Sequence, residues 1–211
     1  MKIEKFVFNP FQENTYLLYD ETNEAVIIDP GCFAEKEKNL LNKYISQNNL
    51  TPVHLLNTHG HIDHILGNEF VSKTYNLPIK AHRADEFLVK NAVNHAFAFG
   101  MEIKEIPGID IFIDEEEKIS FGTSELEIIH IPGHSPGGIV FYNRNQAFMI
   151  VGDVLFEDSI GRSDLPGGDF NLLINSIKHK LFPLGDNIKV YPGHGPSTTI
   201  GRERVYNPFL S

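Results

Sequence analysis

The chain has 211 residues, long enough for one large domain and short for two. Its 41% hydrophobic and 22% charged residues are those of an ordinary folded protein and exclude wholesale disorder. A net charge of −10 without any Lys/Arg stripe weighs against nucleic acid or an anionic membrane as partner, and the single cysteine, Cys32, rules out an intrachain disulfide or a Cys-rich zinc site.

In chain order, short strands are predicted at 6–8, 15–19 and 25–28, β-branched or aromatic runs separated by Asn, Pro and Asp turns. From 35 to 47 the pattern turns helical, with Leu40, Leu41, Tyr44 and Ile45 on one apolar face. A buried strand at 53–56 runs into Asn57-Thr58-His59-Gly60-His61. Helix is expected over 65–75 and 83–97, with a short strand at 77–81 between them. Residues 100–118 are acidic and irregular, broken by Pro107 and Gly108. Strands follow at 126–131, 139–142 and 148–151, then a helix over 170–181 and a last strand at 188–191. Strand clusters with helices in both halves predict a layered α/β architecture, one domain over 1–211. The N-terminus has no apolar signal region and no run is long enough to span a bilayer, so a cytoplasmic address is expected.

Four times, an apolar strand runs into a tight turn and delivers a metal-ligating side chain. Leu55-Leu56 leads to His59, His61, Asp63 and His64; Ile129-His130-Ile131 leads through Pro132-Gly133 to His134. Ile150-Val151 leads through Gly152 to Asp153, and Val190-Tyr191 through Pro192-Gly193 to His194. Such loops gather at the carboxyl ends of strands, where the edge is free to carry them. On a helix, at about 100° per residue, His59 and His61 would diverge; on an extended strand end they share a side. Asp63 and His64, opening the next helix, are placed for a second ion. Nitrogen and carboxylate donors without thiolate suit zinc, with iron or manganese as alternatives. Asp153 is the natural bridging ligand, having two oxygens. A water shared by two such ions is hydroxide near neutral pH, a nucleophile for an activated carbonyl or phosphoryl ester.

Other histidines (His54, His82, His95, His130, His179) read as packed or surface groups, and Cys32 as a small buried residue after a turn. Asp29, in Asp29-Pro30-Gly31, is a turn carboxylate or a partner that orients a ligating histidine. Arg162, in the glycine-rich stretch 161–169 after Asp153, is a candidate to bind a substrate anion.

Thr58-His59-Gly60-His61-Ile62-Asp63-His64, Gly133-His134-Ser135, Gly152-Asp153 and Gly193-His194-Gly195 together resemble the metallo-β-lactamase superfamily, most closely its glyoxalase II-like branch. Asp29-Pro30-Gly31 resembles the family's strand-end acidic turn, and the tail at 207–210 resembles small bacterial members. The resemblance implies a four-layer αββα sandwich. It implies that His59, His61 and His134 hold one divalent ion and Asp63, His64 and His194 a second, with Asp153 bridging. It further implies that Asp63 and Asp153 carry catalysis with a metal-bridging hydroxide, on a small-molecule thioester such as S-lactoylglutathione; the expected assembly is a monomer or homodimer. The sequence is expected to lack the helical C-terminal domain of full-length glyoxalase II. Persulfide dioxygenases resemble the chain as well, with one iron on the residues matching His59, His134 and Asp153. Phosphodiester cleavage and a non-catalytic metal-binding role are further alternatives.

Overall fold

Strands form where β-branched and aromatic side chains can be buried on both faces, and the first to do so completely is the run at 13–19. In the computed structural model, which describes residues 1–210, the chain divides into two compact units. One comprises Met1–Ile113 with Ser120–Ser124; the other comprises Asp114–Ile119 and the chain from Glu125 onward.

In the first unit, β1 (Lys2–Phe8), β2 (Glu13–Tyr19) and β3 (Glu24–Ile28) form an antiparallel meander. β4 (Thr51–Leu56), β5 (Ile79–Ala81) and β6 (Ile111–Phe112) extend it in parallel, giving the order β1-β2-β3-β4-β5-β6. The register Ile27↔Leu55, Ile28↔Leu56 sets the carboxyl ends of β3 and β4 side by side. That alignment brings Asp29 to Thr58. Helix α1 (Glu35–Gln47) starts at Ala34, which has no capping oxygen; the Glu37 carboxylate instead accepts from the Phe33 and Ala34 amides at 2.9 and 3.0 Å. Its Leu41 and Ile45 are buried with Leu17, Ile27 and Leu55 of the sheet. Truncating Leu41 to Ala would cost about 2–5 kcal/mol.

Four short helices and a single helical turn stand where two longer helices were predicted. Residues 65–75 are interrupted, so that α2 (Ile62–Ile65) and α3 (Asn68–Tyr75) flank Leu66-Gly67. The Gly67 amide is diverted to the Pro30 carbonyl at 2.6 Å, and a Cβ there would lie 2.5 Å from Cys32 Sγ. Residues 83–97 form a single turn, then α4 (Glu86–Lys90) and α5 (Ala92–Ala98), separated at Asn91. Ile62 and Ile65 of α2 pack with Val89, Ala92 and Ala96. Within the irregular 100–118 stretch, β6 pairs with β5 because the Asp110 carboxylate accepts the Ile79 amide at 2.8 Å.

The second sheet has the order β14-β13-β10-β9-β8-β7. Its strands are β7 (Lys118–Phe121), β8 (Ser124–His130), β9 (Ile139–Asn143), β10 (Phe148–Gly152), β13 (Lys189–Pro192) and β14 (Thr198–Thr199). Between β10 and β13 the chain makes a separate two-stranded hairpin, β11 (Leu155–Phe156) with β12 (Ser159–Ile160). Helix α6 (Phe170–Ser176) continues into wider turns through Leu181, and α7 (Ile200–Tyr206) follows β14. Leu173, Ile177 and Leu181 are buried with Val140, Met149 and Val190 of this unit. The hairpin, β7, β14 and α7 were not anticipated; the two-residue strands are too short to show a period.

Candidate metal centre

In the first unit, β4 stops at Leu56 and the chain turns through Asn57–Gly60 before α2. The turn is tied at both ends: Asn57 Nδ2 donates to the His64 carbonyl at 3.2 Å, and the Gly60 amide donates to Asp85 Oδ2 at 2.8 Å. The rings of His59 and His61 stand 4.8 Å apart and those of His59 and His64 4.1 Å apart, while Asp63 Oδ2 lies 3.7 Å from His64 Nε2.

Asp29 organises this cluster. It is buried, with a left-handed backbone (φ 51°). Its Oδ1 accepts the Thr58 amide at 2.7 Å, and its Oδ2 accepts the Thr58 hydroxyl at 2.6 Å and His64 Nδ1 at 3.0 Å. Thr58 Oγ1 also lies 3.0 Å from His59 Nδ1. An ionised carboxylate only accepts, so His64 must carry its proton on Nδ1. The one hydroxyl hydrogen of Thr58 is given to Asp29, so His59 Nδ1–H must donate to Thr58. Both imidazoles are thereby held in the tautomer whose Nε2 carries the lone pair. Asp29, His59 and His64 do bring ligand atoms within 4.8 Å of one another, but the oxygens of Asp29 are committed to Thr58 and His64. Asp29 holds the candidate ligand His64 directly and His59 through Thr58, with its own oxygens taken up by those bonds.

Two residues here escaped the sequence reading. The Thr15 hydroxyl donates to the Asp29 carbonyl at 2.8 Å and accepts the Gly31 amide at 2.9 Å, pinning the strand-end turn; it also lies 2.9 Å from Glu13 Oε2. Glu13 is fully buried, and burial pushes its carboxyl well above the ordinary range. The available signal was the polar run Glu13-Asn14-Thr15 opening a strand that continues as Tyr16-Leu17-Leu18-Tyr19.

In the second unit, β8 delivers His134 through Pro132-Gly133. Gly133 has φ 131°, and a Cβ there would meet the Leu173 backbone at 2.4 Å, so only glycine brings this turn so close to α6. His134 Nδ1 donates to the Arg162 carbonyl at 2.7 Å, an acceptor only, which again leaves the lone pair on Nε2. Gly161 permits that contact: a Cβ would lie 1.8 Å from the Asp153 carbonyl and 2.9 Å from His134 Nδ1. Parallel pairing of β10 with β13, with Gly152 opposite Pro192, sets Asp153 beside His194. Asp153 Oδ2 lies 3.7 Å from His134 Nε2 and 3.6 Å from His194 Nε2. Those gaps are too long for hydrogen bonds and suit atoms sharing an ion at roughly 2.0–2.2 Å from each.

Asp153 and His194 open onto a cavity of about 420 Å³, with Arg162, Phe156 and Glu157 on its walls. Its size is that of a small-molecule site. The Arg162 guanidinium is exposed and forms a two-pronged pair with Asp164, Nε to Oδ1 and Nη2 to Oδ2 both at 2.9 Å. Two of its five donors are therefore used within the chain.

The remaining histidines behave as expected. His54 Nε2 meets the Ser120 carbonyl at 3.0 Å, His130 Nε2 the Pro136 carbonyl at 2.8 Å, and His179 Nδ1 the Asn175 carbonyl at 2.8 Å. His82 Nδ1 caps a turn by accepting the Ala84 amide. Burial pushes the Cys32 thiol up to about 12, which suits packing rather than nucleophilic chemistry. Among the described residues no helix is long and apolar enough to cross a membrane.

The structure thus assembles His59, His61, Asp63 and His64 in one unit and His134, Asp153 and His194 in the other. These nitrogen and carboxylate donors are able to bind divalent metal. Residues 8–198 match the metallo-beta-lactamase superfamily. The chain is 38% identical over 218 residues to hydroxyacylglutathione hydrolase GloC of Haemophilus influenzae, across all of this chain and 99% of that one. It superposes on the BLEG-1 B3 metallo-beta-lactamase with a TM-score of 0.91 at 38% identity, covering 100% of both chains. TTHA1623 in a di-iron-bound form gives a TM-score of 0.88 at 37% identity, over 98% of this chain and 100% of that one. The chain therefore belongs to the metallo-β-lactamase superfamily, among its metallo-hydrolases.

Proposed function

We propose that the two sets of side chains close on a pair of divalent ions and that the protein hydrolyses a small thioester, such as S-lactoylglutathione or a related activated ester. His59, His61 and His134 would hold one ion and Asp63, His64 and His194 the other, with Asp153 shared. A single 1–211 domain of four αββα layers is part of this reading. The observation that carries it is the enforced tautomer: Asp29, Thr58 and the Arg162 carbonyl commit three imidazoles to Nδ1–H and so direct Nε2 donation. A carboxylate oxygen set almost equally from His134 and His194 Nε2 supports Asp153 as the shared ligand.

Bound there, two divalent ions would acidify a water to yield a nucleophile near neutral pH and would polarise the substrate carbonyl. The chain itself does the rest. Asp29 and Thr58 fix ring orientation without taking part in proton transfer. The cavity beside His194 admits a substrate and Arg162 turns its remaining donors to a carboxylate or carbonyl on it. Zinc, with iron or manganese as alternatives, suits the donors, and the di-iron form of TTHA1623 supports keeping iron in view. The name of the Haemophilus influenzae relative supports a glutathione thioester. The net charge of −10 favours a small molecule over nucleic acid.

Metal analysis beside a thioester and persulfide activity panel tests the proposal. Two ions per chain and hydrolysis of S-lactoylglutathione are expected. One iron with oxygen uptake on a persulfide would replace hydrolysis by oxidation, and metal-loaded protein inert toward every ester class would remove the catalytic reading.

A further inference from the structure

The β11–β12 hairpin carries Phe156 and Glu157 into the cavity wall, with the Phe156 ring 6.3 Å from that of His194. It is a two-stranded sheet on its own, joined to neither larger sheet, and so short a hairpin is not stable unaided. Its tip is gripped from elsewhere. Arg202 Nη1 and Nη2 donate to the two oxygens of Asp158 at 2.8 and 2.9 Å, and Nη2 lies 3.6 Å from Glu157 Oε1. Glu203 Oε2 accepts the Asp158 amide at 2.9 Å, fixing a residue whose backbone is left-handed (φ 57°). Asn207 Nδ2 donates to the Ser159 carbonyl and to Glu203 Oε2, both at 2.9 Å. Glu203 is fully buried, and its other oxygen accepts from Thr198 Oγ1 at 2.5 Å and Arg202 Nη1 at 2.8 Å. A buried carboxylate so fully satisfied makes a rigid anchor. Leu210, buried in the second unit's core, ties down the chain just beyond it.

We propose that Arg202, Glu203 and Asn207 are positioning residues that lock the 156–159 hairpin tip, so that Phe156 and Glu157 form a recognition wall for the thiol arm of the substrate. The wall presents an aromatic face and an acceptor-only carboxylate, which fits an arm bearing N–H donors next to methylene groups. The inference rests on the thioester reading above for the reaction, and on the cavity alone for binding.

The test compares wild type with Arg202→Met and Asn207→Ala, each loaded with metal, on S-lactoylglutathione and on S-lactoyl-2-mercaptoethanol, which lacks the amides. Arg202→Met is expected to raise KM for the glutathione thioester about tenfold, with kcat within about threefold and metal content unchanged. Asn207→Ala should do the same more weakly. The short thioester should show little change, and Arg202→Met should add nothing in a Phe156→Ala/Glu157→Ala background. Amide exchange at Asp158 should speed up in both variants. Equal losses on both thioesters, loss of metal, or a full effect in the double-alanine background would overturn the proposal. Should wild type hydrolyse no thioester, calorimetric binding of S-hexylglutathione decides separately: about tenfold weaker binding to Arg202→Met upholds the wall, while equal binding, or none to wild type, overturns it.

Discussion

The two units orient their candidate metal ligands by different means. In the first, the candidate ligands lie within 59–64, and one imported carboxylate, Asp29, holds His64 directly and His59 through Thr58. In the second, His134, Asp153 and His194 come from three separate strand ends, and the contact that orients His134 is a backbone carbonyl, that of Arg162. The contrast shows that the same tautomer can be enforced by a side chain, which mutation can delete, or by the main chain, which it cannot. Clustered ligands on a short turn need an external brace. Dispersed ones are aligned by the sheet, because parallel pairing of β10 and β13 already sets Asp153 beside His194.

The largest effect is expected at Asp153, the carboxylate proposed to be shared by two ions. Asp153→Ala should lower kcat on the order of 10³-fold and cost bound metal, since Lewis-acid assistance is worth several kcal/mol. Mass spectrometry of the native protein beside steady-state rates would check this, and wild-type metal content would refute the bridging role. Next, Asp29→Ala should weaken metal affinity about 10–100-fold, as loss of an orienting partner typically does. A chelator-competition titration reads it, and an unchanged affinity would show that the brace is dispensable. Arg162→Ala should leave metal affinity within about threefold, because the carbonyl that orients His134 survives the substitution, while KM rises about tenfold. If metal is lost instead, the main-chain half of the contrast fails.

The smallest effect concerns another carboxylate hub of the first unit. Asp20 accepts the Thr22 amide and hydroxyl at 2.9 and 2.6 Å, the Thr123 amide at 2.7 Å and the Ser124 hydroxyl at 2.9 Å. Burial alone would raise its pKa, but these donors outweigh that and hold the carboxyl below the usual range. Because the folded pKa is depressed, the stabilisation is complete above the unfolded value of about 4 and drains away as pH falls toward the folded one. Asp20→Asn should therefore cost about 2 kcal/mol at pH 7, and the gap from wild type should narrow in denaturant melts at progressively lower pH. A gap that persists unchanged into strong acid would mean the charge is irrelevant.

The candidate ligands were legible in the sequence because they follow apolar runs, His134, Asp153 and His194 directly after a glycine, a pattern that needs no tertiary knowledge. So were most strands and α1, whose side-chain periods exceed the length at which chance imitates them. The break at Leu66-Gly67 was not, since it depends on Pro30 and Cys32 reaching across from another strand end. Nor were Glu13 and Thr15 as supports, because only the pairing of β2 with β3 brings them under the Asp29 turn. The hairpin at 155–160 and its grip by Arg202, Glu203 and Asn207 left no mark in the pattern, as two-residue strands have no period and the contacts span over forty residues. Sequence alone determined which side chains can donate to a metal, because donor chemistry is a property of the residue. Tertiary structure decided which nitrogen His59, His64 and His134 offer and what walls the cavity, because tautomer and shape depend on partners that only folding brings near.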